Sequence, residues 1–538
     1  MQTHHLRAPS GDGATLADPP LDQAGATLDA NADRLRDWDH DFQGRRAGRV
    51  RAMARSQVIA LARSFHERHG LDIPETPASL NRMVVTGHQP ELFHPGVWVK
   101  NFAVAGLARQ IRAVGLNLIV DNDIPKGPSI RVPFQDGDRL RIAPIAFDVW
   151  SGESPYEDQK VQDEAMFAAF GDKVRAASGD LLPSPLIDTF WPRVLRRRGD
   201  TDRVGLRFAL ARREVEAEWG VRNWEIPIGQ VCETEAFGWF ASHLLAHLPR
   251  FQATHNAALA RYRAAYGIRS KNHPVPALGR QGEWLEAPFW VWRGEHPRRK
   301  PLMARQLART IELRIAGEDQ MFTELPLGPE RDACCAIDPL ADLGSRGIRL
   351  RTRALTTTLF ARYILGDLFV HGIGGAKYDE LGDELARGFF GIEPPRFLTL
   401  SLTQWLGLPD DPASTNGLRA AERTLRDLNF NPDRHLGEPR PSETQAAVEA
   451  KWIAIEGEVA TRSQRKARLR AIREANLELT SWVDAERRIL LREKLALEAG
   501  LKRNAVARSR EYAFPLHNEA RLKASMARVA GQLNDDLN

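Results

Sequence analysis

The spacing of apolar positions changes several times along the chain, and each change predicts a different element. Between about residues 30 and 70, Leu35, Trp38, Phe42, Val50, Met53, Val58, Leu61 and Phe65 recur at helical spacings, and Pro74 and Pro77 then break the pattern. Met83-Val84-Val85-Thr86-Gly87 reads as a short buried strand ending in glycine. A loop from His88 to Gly96 follows, then a helix from Val97 to about Val114. Gly115 ends that helix, and Leu116 to Val120 reads as a second strand with Asp121-Asn122-Asp123 at its C-terminal end. This is a β-loop-α-β unit, whose right-handed crossover lays the two strands in parallel. Ligands of such sheets sit beyond the C-terminal strand ends, where His88 and Asp121 are both expected.

From residue 124 to about 340 the pattern is mixed, with prolines between short β-like segments and a cluster of Trp284, Trp290 and Trp292. Tryptophans at alternate positions suit a strand with one buried face, either core or a ligand-stacking wall. A second block begins near Gly347. Ile348 to Arg353 alternates as a strand and places Arg349, Arg351 and Arg353 on one face. Ala354 to Leu365 reads as a helix, and Asp367 to His371 as a strand running into Gly372-Ile373-Gly374-Gly375. A helix from Ala376 to Phe390 follows, closed by Pro394-Pro395. The last region starts with a capping-box signal, Ser442 with Gln445, and has no proline until Pro515. Apolar residues recur at Val448, Trp452, Ile455 and Val459, then from Leu469 to Leu490 through a polar seam position at Asn476. That region reads as a coiled-coil arm, with the polar stretch Thr461 to Arg468 as a solvated segment or a hairpin tip.

These readings divide the 538 residues into a disordered lead-in (1–29), an N-terminal helical segment (30–80), an α/β core (81–405) with an insertion at roughly 150–340, a coiled-coil arm (440–510) and a C-terminal segment packing on the core (511–538). Composition narrows the function classes. The net charge of +5 is small for this length, so a nucleic-acid partner is not expected, and the runs Arg196-Arg197-Arg198 and Arg298-Arg299-Lys300 read as solvated surface. Cys232, Cys334 and Cys335 have no CxxC spacing, which argues against a cysteine-rich zinc site and fits a reducing cytoplasm. The adjacent pair reads as partly buried thiols. No apolar run of 18 residues occurs, and the lead-in lacks the charged and apolar regions of a signal peptide, so neither a membrane span nor secretion is expected.

Three constellations can carry chemistry. In the first, a strand ending at Gly87 feeds a helix whose free backbone N–H groups and dipole favour an anion. His88 and His94 flank this loop as proton movers or charge stabilisers, Gln89 adds a polar contact, and Lys100 can reach back to a phosphate. In the second, Asp121, Asn122 and Asp123 can bind a hydroxylated or amino substrate, hold Mg2+ through waters, or supply a base; the alternative is a capping turn. In the third, His371, Gly372, Gly374, Gly375 and Lys377 surround another helix start, and Arg349 and Arg353 can add anion contacts. That glycine pattern is neither a Walker loop nor a full dinucleotide fingerprint.

Taken in order, these stretches resemble the BshC-type cysteine-adding enzymes of bacillithiol synthesis. The resemblance runs through Val84 to Gln89 with Lys100, Asp121 to Asp123, Arg349 to Arg353, His371 to Gly375, Gly391-Ile392-Glu393-Pro394-Pro395, and Arg510 to Leu516. It implies a Rossmann-like α/β core with connecting insertions plus a C-terminal coiled coil that makes a homodimer. It implies a nucleotide-binding ligase joining cysteine to the amino group of glucosaminyl-malate, with ATP and Mg2+ as the expected activating pair and no tightly bound metal. His88, Asp121 and Asp123 are then the candidate catalytic groups, and the remaining named residues bind substrate or nucleotide. Three positions depart from the family: Gly87-His88-Gln89 replaces Gly-Gln-Gln, Asp121-Asn122-Asp123 replaces a Glu-Asp-His-Asp type run, and Gly374-Gly375-Ala376-Lys377 replaces a Gly-Pro-Gly-Glu type turn. His88-Gln89-Pro90 with Phe93, Pro95 and Gly96 is also similar to the WbqC-like family, linked to surface-sugar assembly. A ligase or transferase for another amino sugar, and a non-enzymatic coiled-coil scaffold, are the alternatives.

Overall fold

The computed structural model describes residues 6–77 and 80–531. Strand β1 (Thr15–Asp18) precedes helices α1 (Ala24–Arg36) and α2 (Ala47–Arg68). Strand β2 (Met83–His88), helix α3 (Pro95–Gln110) and strand β3 (Val114–Ile119) form the expected β-loop-α-β unit. Helix α4 (Val204–Glu218) leads into β4 (Trp224–Pro227). Strands β5 (Trp284–Arg293), β6 (His296–Gln306), β7 (Ile311–Ile315), β8 (Met321–Leu325) and β9 (Ile348–Thr352) come next. Strand β10 (Leu368–His371), helix α5 (Ile373–Leu385) and strand β11 (Leu398–Leu402) complete the α/β part.

The protein is mixed α/β, and its first sheet has the order β1-β11-β10-β2-β3-β4. Every neighbouring pair in it is parallel except β1 with β11. From β2 the chain moves to β3 and β4 on one side, whereas β10 lies on the other side of β2 and leads to β11. The winding therefore reverses between β2 and β10, which opens a crevice beyond their C-terminal ends. Thr86 Oγ1 donates to Val370 O at 2.8 Å and ties these two strands together. Helix α3 approaches closely at Gly115, where a Cβ would come within 2.6 Å of Asn223 Oδ1 and 3.2 Å of Ala108 Cβ. At the strands' other end, Arg51 and Arg55 of α2 both donate to Asp367 Oδ1, and its Oδ2 accepts the Met83 N–H at 2.9 Å. That buried ion group sets where β2 begins.

A second sheet, β8-β7-β6-β5-β9, is antiparallel throughout. It contains the strand at Ile348–Thr352, which pairs with β5 and not with the parallel sheet. Behind the first sheet lies a polar core that the apolar pattern did not announce. Glu216 accepts from Trp98 Nε1 (2.6 Å), Asn101 (2.8 Å) and Arg212 (2.6 Å), while Glu225 accepts from Arg212 and from Asn117 (2.8 Å).

Several expectations are corrected. Residues 30–70 are two helices, because Gln43 and Gly44 both have positive φ (55° and 101°), a turn that an α-helix cannot contain. The Gln43 amide fixes this turn by donating to the carbonyls of Gly328, Pro329 and Arg331. The lead-in is not wholly loose: Thr15–Asp18 pairs with β11 at the sheet edge, where backbone hydrogen bonds suffice and no apolar pattern is needed. The first five residues of that segment lie outside the described residues. Each basic run turns its middle residue inward: Arg197 bonds Glu214 and Asp200, and Arg299 bonds Asp123. Cys334 and Cys335 are exposed at the start of a short helix, with their Sγ atoms 3.6 Å apart. Among the described residues no helix is long and apolar enough to cross a membrane.

Pro133–Ile142 and Gly407–Ser509 form a separate compact unit. Its helices are α6 (Thr415–Phe430), α7 (Gln445–Glu456), α8 (Arg462–Thr480) and α9 (Asp484–Ala507). The helical region is broken at Gly457–Thr461, so the polar stretch begins a new helix. The capping box is made there, by Thr461 and Gln464, and not by Ser442, whose hydroxyl bonds Glu443. Asn476 donates to Phe430 O at 2.9 Å, which satisfies a carbonyl at the end of α6. Leu428, Leu436, Val448, Leu479 and Val483 form the unit's own core, while Leu469, Leu477, Ile489 and Leu495 are exposed. In the main unit the last described helix is α10 (Glu519–Gly531), and Phe514 packs tilted against Trp98 with centroids 4.5 Å apart. Residues 532–538 of the expected C-terminal segment lie outside the described residues.

Candidate functional site

A cavity of about 880 Å³ opens at the crevice between β2 and β10. Its wall includes Gly87, His88, Gln89, His94 and Lys100 from the first loop and helix, Asn122 and Asp123 from the end of β3, and His371, Gly372, Gly374, Gly375 and Lys377 from the β10–α5 turn. Arg353 lies there as well. Two loops far apart in sequence thus share one space because their strands are neighbours.

Two predicted residues lie elsewhere. Asp121 and Arg349 line a separate cavity of about 320 Å³ together with Glu157, Glu233 and Arg351. Both residues lie in the turn past the end of β3: Asp121 bonds the Gly229 N–H on one side, and Asn122 is held in the larger cavity by donating to Thr352 O at 2.9 Å. Arg349 and Arg351 do share a side, both reaching Glu157, but Arg353 lies past the strand end and turns away. Asp121 accepts the Gly229 N–H at 2.9 Å, and burial, reinforced by neighbouring Glu157, pushes its carboxyl up to about 7.

Within the larger cavity the first-loop residues are more constrained than their types suggest. His94 is the N-cap of α3, its Nδ1 accepting the Gly96 N–H at 3.1 Å, and burial takes it down to about 4. His88 Nδ1 donates to the Gln89 carbonyl at 2.9 Å. Its Nε2 is buried and among the described residues makes no hydrogen bond of good geometry, with Asn101 nearby, and burial beside Lys100 and Arg212 holds the ring far below its usual pKa. Asp123 is fully engaged: Gln89 donates to Oδ2 at 2.7 Å, while Arg299 and the Ile124 N–H each donate to Oδ1 at 2.9 Å. It is an orienting group with little capacity left to act as a base.

Lys100 sits in a different situation. Its amine donates to Gly87 O at 3.1 Å, has no carboxylate partner among the described residues, and is brought down to about 7 by burial. An amine so placed is partly neutral near neutral pH and becomes fully charged when an anion arrives. The second loop supplies open donors. Gly372 is the N-cap of α5, and among the described residues no side chain caps that helix. A Cβ at Gly372 or Gly374 would meet nothing within 4 Å, so an anion can approach the backbone N–H groups there.

The wall also holds Trp290, expected as either core or a ligand-stacking wall, and Arg299, expected as solvated surface. Arg353 (4.1 Å from the ring centroid) and Arg299 (5.0 Å) both lie over Trp290, and the tryptophan pair at 290 and 292 divides its roles. Trp292 is core and donates to Asp158, while Trp290 faces the cavity. Inward-outward alternation along β6 was the available signal for Arg299. Glu91, Tyr378 and Arg510 also line the cavity, and Arg510 is held by donating to Ser401 Oγ at 2.7 Å. Beneath the second loop, His371 Nε2 donates to Asp379 Oδ2 at 2.7 Å. Asp379 also accepts from Arg362 at 2.6 Å and Thr358 Oγ1 at 2.9 Å, and these partners hold its carboxyl down at about 2 despite complete burial.

The cavity can bind a polyanionic small molecule through cations and helix N-terminal N–H groups while offering Glu91 to hydroxyls or an ammonium. Among the described residues no group of three or more His, Cys, Asp or Glu gathers to hold a metal ion. No family model and no curated protein matches this chain.

Proposed function

We propose that this protein is a carbon–nitrogen ligase, which joins cysteine to the amino group of a glucosaminyl-malate-like substrate in bacillithiol-type thiol synthesis. One observation carries the reading. The loops that bear the resemblance to cysteine-adding enzymes, Gly87–Lys100 and His371–Lys377, meet around a single cavity at the reversal of a parallel sheet. On this reading the parallel sheet is a Rossmann-like core and the helical unit a coiled-coil arm. Leu469, Leu477, Ile489 and Leu495 would then meet a second copy in a homodimer, and the reaction belongs in the cytoplasm.

Amide formation needs an activated acyl group, an oriented amine and somewhere for a proton to go. ATP with Mg2+ supplies the activation. The α5 N-terminus fits its phosphates, because the space beside Gly372 and Gly374 is open to the backbone and Lys377 lies on the same wall. Lys100 gains its proton when a phosphate or carboxylate approaches, and Arg353 and Arg299, spread over Trp290, suit the carboxylates of a malate group. Incubating the purified protein with cysteine, glucosaminyl-malate, ATP and Mg2+ and weighing the products tests the proposal. A species heavier than glucosaminyl-malate by one cysteinyl residue is expected, and no such species from folded protein would refute it.

A second reading, a ligase or transferase acting on another amino sugar or surface-glycan precursor, is favoured by Lys377. It puts a cation on the cavity wall where the family carries an acid.

A further inference from the structure

We propose that His371 is the general base of the condensation, accepting the proton of the attacking amine at Nδ1, and that Asp379 is its positioning residue. The inference rests on the ligase reading above.

The geometry begins with Asp379. It is inaccessible, on the inner side of α5, and its carboxylate is held by a guanidinium, a hydroxyl and the imidazole. A carboxylate so bonded cannot donate, so the proton in the 2.7 Å bond belongs to His371 Nε2. The tautomer follows: Nδ1 carries the lone pair. Among the described residues nothing hydrogen-bonds Nδ1, although the rest of the ring is well fixed. Phe397 packs edge-on at 4.8 Å between centroids and Phe369 lies at 4.5 Å. A Cβ at Gly375 would sit 2.7 Å from Nδ1, so glycine at that position keeps the nitrogen uncovered. His371 and Gly375 both line the larger cavity.

A base oriented by a buried carboxylate, with its free nitrogen facing a substrate cavity, is the arrangement by which imidazoles take protons from nucleophiles. As the amine nitrogen attacks the acyl carbon, the C–N bond forms and the bond from that carbon to its phosphate or nucleotidyl leaving group breaks. The N–H proton passes to Nδ1, and the resulting imidazolium is stabilised by Asp379. Neither carboxylate expected to serve as base is placed for this task. Asp121 faces the other cavity and Asp123 has its oxygens occupied. His88 shows its uncommitted nitrogen to the protein interior.

Burial lowers the His371 pKa, Asp379 opposes that shift, and Arg362 and Lys100 add to it. The ring is therefore neutral and ready to accept at neutral pH, and the acid limb of kcat/KM lies below the ordinary histidine range of about 6.5.

Two measurements on the full chain test the assignment. In the condensation assay, His371→Gln loses about 10²–10⁴-fold in kcat with KM for ATP little changed. Asp379→Asn moves the acid limb to lower pH, a shift that a merely structural aspartate would not produce. Separately, diethyl pyrocarbonate labelling read by peptide mass modifies His371 in the native protein, and glucosaminyl-malate protects it. His371→Gln turnover within threefold of wild type, or a His371 inert to the reagent in folded protein, overturns the proposal. Wild-type protein that makes no product while His371 is labelled and protected refutes the ligase reading and retains the base.

Discussion

Asp379, inaccessible in α5 after β10, and Asp121, half-buried past the end of β3, flank the central strand β2 on its two sides, yet their surroundings drive them to opposite charge states. Asp379 has Arg362 at 2.6 Å, a hydroxyl and an imidazole N–H, and its carboxyl falls to about 2. Asp121 has the Gly229 N–H and, close by, a second carboxylate; its carboxyl rises to about 7. A cation is present near it, but Arg351 places two donors on Glu157 and a third contact on Glu233. Depth penalises the charged form of both groups alike, and the allocation of the nearest guanidinium decides which one ionises. That allocation separates the two cavities: one ends in an ionised aspartate that orients a histidine, the other in a Glu157 carboxylate paired with Arg351 beside an Asp121 carboxyl that keeps its proton longer.

The largest test removes the guanidiniums. Arg362→Met leaves Asp379 buried without its cation and is expected to cost about 3–5 kcal/mol. Arg351→Met should cost less, because Arg349 lies 3.5 Å from Glu157 and can take up part of its charge. Urea unfolding of both variants reads the difference, and equal losses would erase the distinction between the two sites.

A smaller effect separates the aspartates by pH. The Asp121 pKa of about 7 in the folded protein lies above its ordinary value of 3.8, so the folded state keeps a proton that the unfolded chain releases. Its contribution to stability is therefore present at low pH and is lost as pH rises between about 4 and 7. Asp379 runs the other way: its contribution is present above its ordinary pKa and is lost as pH falls through about 2. Asp121→Asn mimics the protonated carboxyl and can still accept from Gly229. The variant's advantage over wild type should grow by roughly 2–3 kcal/mol between pH 5 and pH 8, read in thermal melts. Parallel curves would mean that Asp121 is ionised throughout.

Much of the larger cavity was legible in the sequence because its parts are local. Gly87 through Lys100 and His371 through Lys377 are each one strand-to-helix turn, and turn chemistry is written in adjacent residues. What was illegible depended on pairings between distant segments. Asp379 stands in the charged run Asp379-Glu380-Leu381-Gly382-Asp383, which reads as a solvated helix face until Arg362 and His371 are known to lie against it. The parallel sheet's order, which puts β2 beside β10, cannot be read from either strand alone. The edge strand β1 has no apolar alternation to betray it. In the helical unit, the capping residues at Thr461 and Gln464 were visible as a polar stretch, but whether they begin a helix or interrupt one depended on the turn at Gly457.

The smallest stability effect isolates the geometry of the His371 side from its charges. Gly374 and Gly375 are neighbours in the first turn of α5, and neither has positive φ. At Gly374 an added Cβ meets nothing within 4 Å, so Gly374→Ala should be neutral or stabilise by up to about 1 kcal/mol through the unfolded chain. At Gly375 the same methyl lands 2.7 Å from His371 Nδ1, and the imidazole must swing against its bond to Asp379. Gly375→Ala should cost about 1–2 kcal/mol. In the ligase assay its turnover should fall at least tenfold below that of Gly374→Ala. The methyl changes no charge and leaves Arg362, Thr358 and Asp379 untouched, so a loss confined to position 375 traces to the direction of one nitrogen. Equal turnover in the two variants would show that Nδ1 need not be uncovered, and the carboxylate beneath it would then be a structural ion like Asp367.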